Sequence, residues 1–170
     1  MKRTPYLFAI SGVKNSGKTT LITKLIPEFT KKGLKVATIK HDGHDFEADV
    51  KGTDTYAHFE AGAYGTAIFS DHKYMIVKRQ EHTKEEALIA CFPEADLILL
   101  EGFKGSHYPK IEIIRDGNSN ESVCKVETLI GIASDFAFEH PSVPVWDLND
   151  AADIAVHIEQ LINSQMKEKV

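Results

Sequence analysis

The sequence predicts an α/β fold: a mostly parallel β-sheet with helices on both faces, formed by a single domain over residues 1–170. Three observations predict it. Strand-like and helix-like segments alternate along the chain, which is the order of βαβ units. Residues 97–100 are all apolar, as in a strand that is buried on both faces. A chain of 170 residues is also long enough to bury a large core without disulfides.

The helices follow from apolar spacing and from end signals. Residues 18–32 carry apolar side chains at helical spacing, and Gly33 follows as a left-handed cap. Pro27 lies inside this segment and predicts a kink or a tightened turn, because it has no N–H to donate to the carbonyl of Thr23. A Thr-Lys-Glu-Glu capping box begins a helix at 83–91, and Asp150 caps a closing helix.

Six segments are predicted to form strands of the main sheet. Each is short and rich in β-branched or other apolar residues, and most are bounded by turn-forming residues. They are residues 6–10, 35–39, 96–100, 111–114, 129–132 and 143–146.

A separate hairpin is predicted after a short helix at 54–61, which the pair Asp54-Thr55 is expected to cap. Its strands, residues 66–69 and 74–77, are separated by a four-residue turn. A parallel core does not need such a hairpin, so we expect it to project. Unpaired strand edges need cover, and a two-fold symmetric dimer would provide it.

A glycine-rich loop stands between the first strand and the first helix. It reads G-x-x-x-x-G-K-T, a pattern whose backbone N–H groups surround phosphates, whose lysine reaches the β- and γ-phosphates and whose hydroxyl binds Mg²⁺. The sequence therefore predicts a nucleoside triphosphate site in the three-layer fold of phosphate-loop NTPases. Its residues are Gly12, Val13, Lys14, Asn15, Ser16, Gly17, Lys18, Thr19 and Thr20, with Thr19 also a magnesium ligand.

Glu101 is predicted to complete this site. It ends the apolar strand at the sheet edge where ligands bind in open α/β sheets. There it would hold Mg²⁺ through water and take part in catalysis. The alternative is a carboxylate that only closes the strand, by bonding to Lys104 or to a backbone amide.

The polar loop at 40–52 is long for a simple connection, and such loops often carry function. We interpret it as a nucleotide-sensing switch in which Lys40 lies near the phosphates. Asp42 would meet the Mg²⁺ shell and Asp49 the attacking water. A solvated acidic loop is the plain alternative. A transition-metal site is another, formed by His41, His44 and Asp45.

Composition and charge exclude several classes of protein. Residues 1–40 are basic, with nine Lys and Arg and one acid. The whole chain nevertheless has a net charge of −5, and this negative charge argues against nucleic-acid binding. The apolar stretch after the N-terminus is only of strand length, so neither a membrane span nor a signal peptide is predicted. Cys91 and Cys124 share no motif and indicate reduced thiols of a cytoplasmic protein.

An ordered set of motifs resembles the adapter proteins of molybdopterin-guanine dinucleotide biosynthesis, the MobB family. The resemblance implies binding of GTP and Mg²⁺, weak GTP hydrolysis, a homodimer and association with the molybdopterin guanylyltransferase. The motifs span nearly the whole chain: residues 12–19, 40–42, 49–56, 61–63, 100–104, 109–115, 133–135 and 147–150.

The sequence leaves open how the base of the nucleotide is recognised and whether the protein has a different function. The N-K-x-D signature by which many GTPases recognise guanine is absent. Asp135 follows a strand, and its carboxylate could accept from the N1–H and the amino group of guanine. The alternative is an Asp that only caps a helix or forms a turn. A small-molecule kinase or a metallochaperone-type GTPase are the competing functions. A group of basic residues follows the Glu101 strand: Lys104, Lys110 and Arg115. This group could bind the phosphate of molybdopterin, or its members could simply be solvated surface residues.

Overall fold

The computed structural model describes residues 4–167. Within these residues the chain forms two compact units: residues 4–41 with 88–167, here the sheet unit, and Asp42–Ala87, here the hairpin unit. The strands are β1 Tyr6–Gly12, β2 Val36–Lys40, β3 Gly65–Phe69, β4 Tyr74–Lys78, β5 Leu97–Glu101, β6 Lys110–Ile114, β7 Leu129–Ser134 and β8 Val145–Asp147. The helices are α1 Lys18–Thr30, α2 Asp54–Glu60, α3 Glu85–Ile89 and α4 Ala151–Lys167.

The six strands of the sheet unit run parallel, in the order β2-β5-β1-β6-β7-β8. Every residue of β5 is buried, as the apolar run predicts. Because the strands are parallel, their carboxyl ends meet at one edge, where the segments after β1, β2, β5, β6 and β7 all begin. The parallel α/β sheet predicted from the sequence is confirmed.

Helices α1 and α4 cover one face of this sheet. Their buried side chains form one core with Phe8, Ile10 and Trp146. Gly33 has a φ of 81°, which confirms the left-handed cap. Asp150 caps α4 as predicted, since its carboxylate accepts a hydrogen bond from the Asp153 N–H at 3.0 Å. None of the described helices is long and apolar enough to cross a membrane.

The other face of the sheet has a thinner cover than predicted. Its buried residues Ile39, Ile98, Leu100 and Tyr108 pack with Ile89 of α3 and with loop side chains. Helix α3 is only five residues long and begins at Glu85, so the longer helix predicted from the capping box is wrong. The Thr83 hydroxyl instead donates to the carbonyl of Gln80, at 3.3 Å.

The hairpin unit contains α2 and the antiparallel pair β3–β4, which confirms the predicted hairpin. Thr53, not Asp54, caps α2: its side chain accepts from the Tyr56 N–H at 3.3 Å. The capping position is thus one residue earlier than predicted. The strands leave large apolar side chains exposed, of which Phe69 is 86% and Tyr74 69% accessible.

Candidate functional site

The glycine-rich loop adopts backbone conformations that its sequence requires. Gly12, Asn15 and Gly17 have φ angles of 138°, 62° and 100°. A Cβ on Gly12 would lie 2.7 Å from the backbone oxygen of Ile113 and 2.8 Å from Ser16 Oγ. Only glycine fits there, because the position has both a positive φ and no room for a side chain. The loop leads from β1 directly into α1, which is the context expected of a phosphate loop.

Lys18 lies along this loop. Its Nζ donates to the carbonyl of Val13 at 2.6 Å and to that of Gly12 at 3.4 Å. Burial lowers the pKa of Lys18; the charge of Glu101 opposes that shift, and the ammonium groups of Lys40 and Lys104 add to it. The ammonium group is therefore held at the loop in a partly desolvated place, where it would bind an anion strongly.

Thr19 and Glu101 are brought together from α1 and β5. The Thr19 hydroxyl donates to Glu101 Oε1 at 2.7 Å, and Lys40 Nζ lies 3.8 Å from the same oxygen. Glu101 is 9% exposed. The alternative partners expected for Glu101, Lys104 and a backbone amide, are replaced by this hydroxyl and the Lys40 ammonium.

The donor set fits a nucleoside triphosphate with Mg²⁺. A hydroxyl and a carboxylate oxygen are hard ligands of the kind Mg²⁺ takes alongside phosphate oxygens. The Ser16 Oγ is buried and has no hydrogen-bond partner among the residues that the structure describes. A buried hydroxyl without a partner in a glycine-rich loop is a polar group that a bound ligand can satisfy.

The two acidic residues predicted in the polar loop lie in the hairpin unit. Asp49 Oδ1 accepts from the Val50 N–H at 2.7 Å and from Thr53 Oγ1 at 3.2 Å. A hydrogen bond from the Thr55 side chain, followed by the Val50 N–H, lowers the pKa of Asp49. Asp42 Oδ1 accepts from the His44 N–H at 3.3 Å. The roles of Asp42 at Mg²⁺ and of Asp49 in catalysis stay predictions.

His41 stands on the sheet unit beside Glu101. Its N–H donates to the Glu101 carbonyl at 3.2 Å, and its ring meets that of Phe103 edge-on at 5.9 Å. Over residues 4–167, no three His, Cys, Asp or Glu side chains are grouped so that they could hold a metal ion.

A cleft borders the phosphate loop at the ends of β6 and β7. Asp135 Oδ2 forms an ion pair with Arg115 Nε at 3.3 Å, and its Oδ1 accepts a hydrogen bond from the Asp116 N–H at 2.8 Å. Both oxygens of this carboxylate therefore have a partner. Residues at the start of α1 and in the segment before α4 also line the cleft. Its lining comprises Gly17, Thr20, Leu21, Lys24, Arg115, Asp135, Leu148 and Asn149.

Two buried charges on β6 were missed by sequence reasoning. Lys110 has no exposed surface, so its interpretation as part of a surface basic group is wrong. Glu112, 1% exposed, accepts from the Val123 N–H at 2.7 Å, the Cys124 N–H at 3.3 Å and the Ser122 hydroxyl. The sequence signal for this pair is the spacing Lys-x-Glu within an apolar strand. Alternate residues of a strand share a face, so both charges lie on the same face of the sheet.

Comparison with known structures gives the same architecture. The crystal structure of Bacillus subtilis MobB superposes with a TM-score of 0.73 at 27% identity, covering 91% of this chain and 97% of that one. A MobB protein homolog from Bacillus stearothermophilus gives a TM-score of 0.68 at 22% identity, covering 93% and 98%.

Sequence comparison also finds relatives along nearly the whole chain. The chain is 33% identical over 168 residues to the molybdopterin-guanine dinucleotide biosynthesis adapter protein of Escherichia coli (strain K12), covering 94% of each. It is 31% identical over 160 residues to the protein of the same name from Haemophilus influenzae, covering 92% of this chain and 89% of that one. Residues 7–135 match the model of MobB, molybdopterin guanine dinucleotide synthesis protein B. Since that match covers most of the chain, this protein belongs to the MobB family.

Proposed function

We propose that this protein is a GTP-binding adapter in molybdopterin guanine dinucleotide synthesis, which binds GTP with Mg²⁺, hydrolyses it slowly and assists a partner guanylyltransferase. The observation that supports nucleotide binding is the hydrogen bond between Thr19 and Glu101, next to the glycine-rich loop that the Lys18 side chain contacts. The adapter part rests on the names of the relatives from Escherichia coli and Haemophilus influenzae. Cytoplasmic location is part of the same proposal.

Each residue of the site has a separate task in this proposal. The backbone amides of the loop and Lys18 bind the β- and γ-phosphates. Thr19 and Glu101 hold Mg²⁺, directly or through water, and the metal supplies charge neutralisation at the phosphates. Lys40, close to Glu101 Oε1, limits the negative charge that Glu101 adds there. These tasks require only positioning and electrostatics.

The adapter role is tested by reconstitution with the guanylyltransferase from the same organism. We expect the two proteins to associate in a pull-down and the yield of molybdopterin guanine dinucleotide per unit of transferase to rise when this protein and GTP are added. A variant that cannot bind the triphosphate is the matched control. No association and no rise in yield would contradict the adapter role.

Asp135 is proposed to read guanine, because a carboxylate accepts from both N1–H and the amino group. Its anchoring by Arg115 and the Asp116 N–H supports this, since a fixed acceptor discriminates better than a mobile one. Asp135→Asn should weaken GTP binding at least tenfold and favour xanthosine triphosphate, whose O2 accepts where guanine donates. Competition binding with GTP, ATP and xanthosine triphosphate measures it. Unchanged preference in the variant would place guanine recognition elsewhere.

Isolated turnover should be slow. Fast phosphoryl transfer needs cationic groups that clamp the transferred phosphoryl. The sequence has two arginines beyond residue 40, and both are engaged: Arg115 pairs with Asp135, and Arg79 contacts the Phe59 carbonyl and ring. We expect GTP hydrolysis well below roughly 1 s⁻¹, the low end of ordinary enzymes. A phosphate-release assay over hours measures it, and rapid transfer to any small acceptor would favour a kinase instead.

Dimerisation is proposed to use the hairpin. Phe69 and Tyr74 pair across β3 and β4, so they lie on one face, and both are largely exposed. A second copy of the chain would cover these apolar groups and the strand edges. Sedimentation equilibrium should give a dimer mass for the parent and a monomer mass for Phe69→Asp with Tyr74→Asp. The control is Ser70→Asp in the same hairpin; a dimer that persists in the double variant would locate the interface elsewhere.

A further inference from the structure

Residues 115–119, here the Arg115 turn, follow β6 as a compact turn. The Arg115 carbonyl accepts from the N–H groups of Asn118 at 3.0 Å and Ser119 at 2.9 Å. The Arg115 N–H in turn donates to Ser119 Oγ at 3.2 Å. The backbone of Arg115 is therefore held by three hydrogen bonds within the turn.

The Arg115 turn is attached to its surroundings on two sides. Asn118 Nδ2 donates to the carbonyl of Lys14, in the phosphate loop, at 3.1 Å. On the other side, the Asp116 N–H donates to Asp135 Oδ1 at 2.8 Å. These two contacts join the turn to the loop that is proposed to bind phosphates and to the carboxylate that is proposed to recognise guanine.

The guanidinium group of Arg115 lies between the same two places. Its Nε is 3.3 Å from Asp135 Oδ2. Its Nη1 is 3.6 Å from the position that a Cβ on Gly17 would take, so it lies against the last glycine of the phosphate loop, where α1 begins. Arg115 also lines the cleft that Gly17, Thr20 and Asp135 share. The distances thus place a cation between the phosphate loop and Asp135.

The ion pair with Asp135 occupies only part of this cation. A guanidinium group has five N–H donors in one plane. The pair is formed by Nε, which carries one of them, and the other four belong to Nη1 and Nη2. The Arg115 side chain is 50% exposed, and an ion pair at that exposure contributes little to stability. The pair therefore orients the guanidinium group, whose terminal N–H groups are suited to a second, anionic partner.

The covalent order of a nucleotide predicts which anion lies there. The ribose and the α-phosphate join the base to the β- and γ-phosphates. If Lys18 and the loop amides bind the β- and γ-phosphates and Asp135 recognises the base, the α-phosphate lies between Gly17 and Asp135. The Arg115 guanidinium group occupies that interval. Guanidinium and phosphate groups form strong, charge-assisted hydrogen bonds.

We propose that Arg115 is a nucleotide-binding residue that donates to the α-phosphate, and that Asp135 and the Arg115 turn hold its guanidinium group in place. This inference rests on the proposed binding of GTP. It adds a cation that the phosphate-loop pattern does not contain. Because this cation contacts the α-phosphate and not the transferred γ-phosphoryl group, it is compatible with slow hydrolysis.

The test compares GMP with guanosine. The two differ only in the α-phosphate, so the ratio of their affinities separates this contact from recognition of the base. Displacement of a fluorescent GTP analogue measures both affinities. GMP should bind the parent more tightly than guanosine, and Arg115→Met should lower that preference about five- to tenfold, as for loss of charge-assisted hydrogen bonds.

The matched control is Lys35→Met, which removes one positive charge from an exposed position before β2, at the amino end of the parallel strands. It should keep the preference of the parent for GMP. The same preference in Arg115→Met and the parent would overturn the proposal, and so would a parent that binds GMP and guanosine alike. An equal loss for both ligands would also overturn it, because Arg115 would then act only on the base through Asp135.

Arg115→Lys decides the question if Arg115→Met does not fold. Lysine keeps the positive charge, but its ammonium group lacks the planar fork that can bond a carboxylate and a phosphate together. The preference for GMP should then fall by about twofold or more. An unchanged preference in this variant would overturn the proposal.

Titration of the parent with GTP separates this inference from the proposed function. If the parent binds no GTP, the proposed function fails and the inference with it. If the parent binds GTP, and Arg115→Met prefers GMP to guanosine as strongly as the parent does, only the inference fails.

Discussion

Replacing Lys18 by alanine should weaken GTP binding at least tenfold. The side chain is the cation of the phosphate loop, and its Nζ already lies 2.6 Å from the Val13 carbonyl. Its charge-assisted contact with a phosphate is worth roughly 1.5–3 kcal/mol, which corresponds to a tenfold or greater change in affinity. Isothermal calorimetry with GTP and Mg²⁺ measures the effect.

The control for this change is Lys31→Ala. Lys31 lies just after α1, is exposed, and pairs only with Glu28 on the helix surface among the described residues. An exposed pair of this kind contributes little, so both GTP affinity and stability should match the parent. Equal GTP affinity of Lys18→Ala and the parent would contradict the assignment of the loop.

Gly12→Ala should have the second large effect, on binding and stability together. The added Cβ would lie 2.7 Å from the Ile113 carbonyl oxygen, at a φ of 138° that alanine rarely adopts. Either β6 or the loop must shift, at a cost of about 1–3 kcal/mol for the backbone alone. Since the shift displaces the amides that face the phosphates, GTP affinity should fall at least tenfold.

Thermal unfolding and calorimetry measure the two effects of Gly12→Ala. Gly33→Ala is the matched control, because it changes a glycine with a φ of 81° that has open space where its Cβ would be. It should lower stability through strain alone and leave GTP affinity unchanged. Full GTP affinity in Gly12→Ala would show that the loop conformation does not matter for binding.

Local sequence signals predicted most of the sheet unit. The phosphate loop, the apolar strand that ends at Glu101 and the Asp150 cap depend on residues adjacent in sequence, and each is found where the pattern places it. Parallel pairing then brings Glu101 to the start of α1, which explains how Thr19 and Glu101, 82 positions apart, could be assigned to one site.

The residues that the sequence did not reveal depend on distant segments. The sequence interpretation placed Lys110 in a basic group and gave Glu112 no role. The partners that permit the burial of both residues are backbone groups of loops at 103–106 and 123–124. No local pattern states where such loops will lie. The thin cover of the second sheet face has the same origin, since loop side chains share that face with the short helix α3.

The error in the predicted capping residue of α2 has a local cause. Thr53 and Asp54 are both good caps, and the choice between them depends on which side chain meets the N–H groups of the first turn. Thr53 does so, and it also donates to Asp49 at 3.2 Å, which ties the end of the polar loop to α2. Composition alone cannot rank two adjacent capping residues.

The most direct test of the account is a calorimetric titration of the parent chain with GTP, with and without Mg²⁺, and with ATP in parallel. We expect one GTP per chain and at least tenfold weaker binding of ATP. GTP binding should weaken when Mg²⁺ is removed, because Thr19 and Glu101 lose the ion they are proposed to hold. Absence of GTP binding, or GTP binding that Mg²⁺ does not affect and ATP matches, would contradict it.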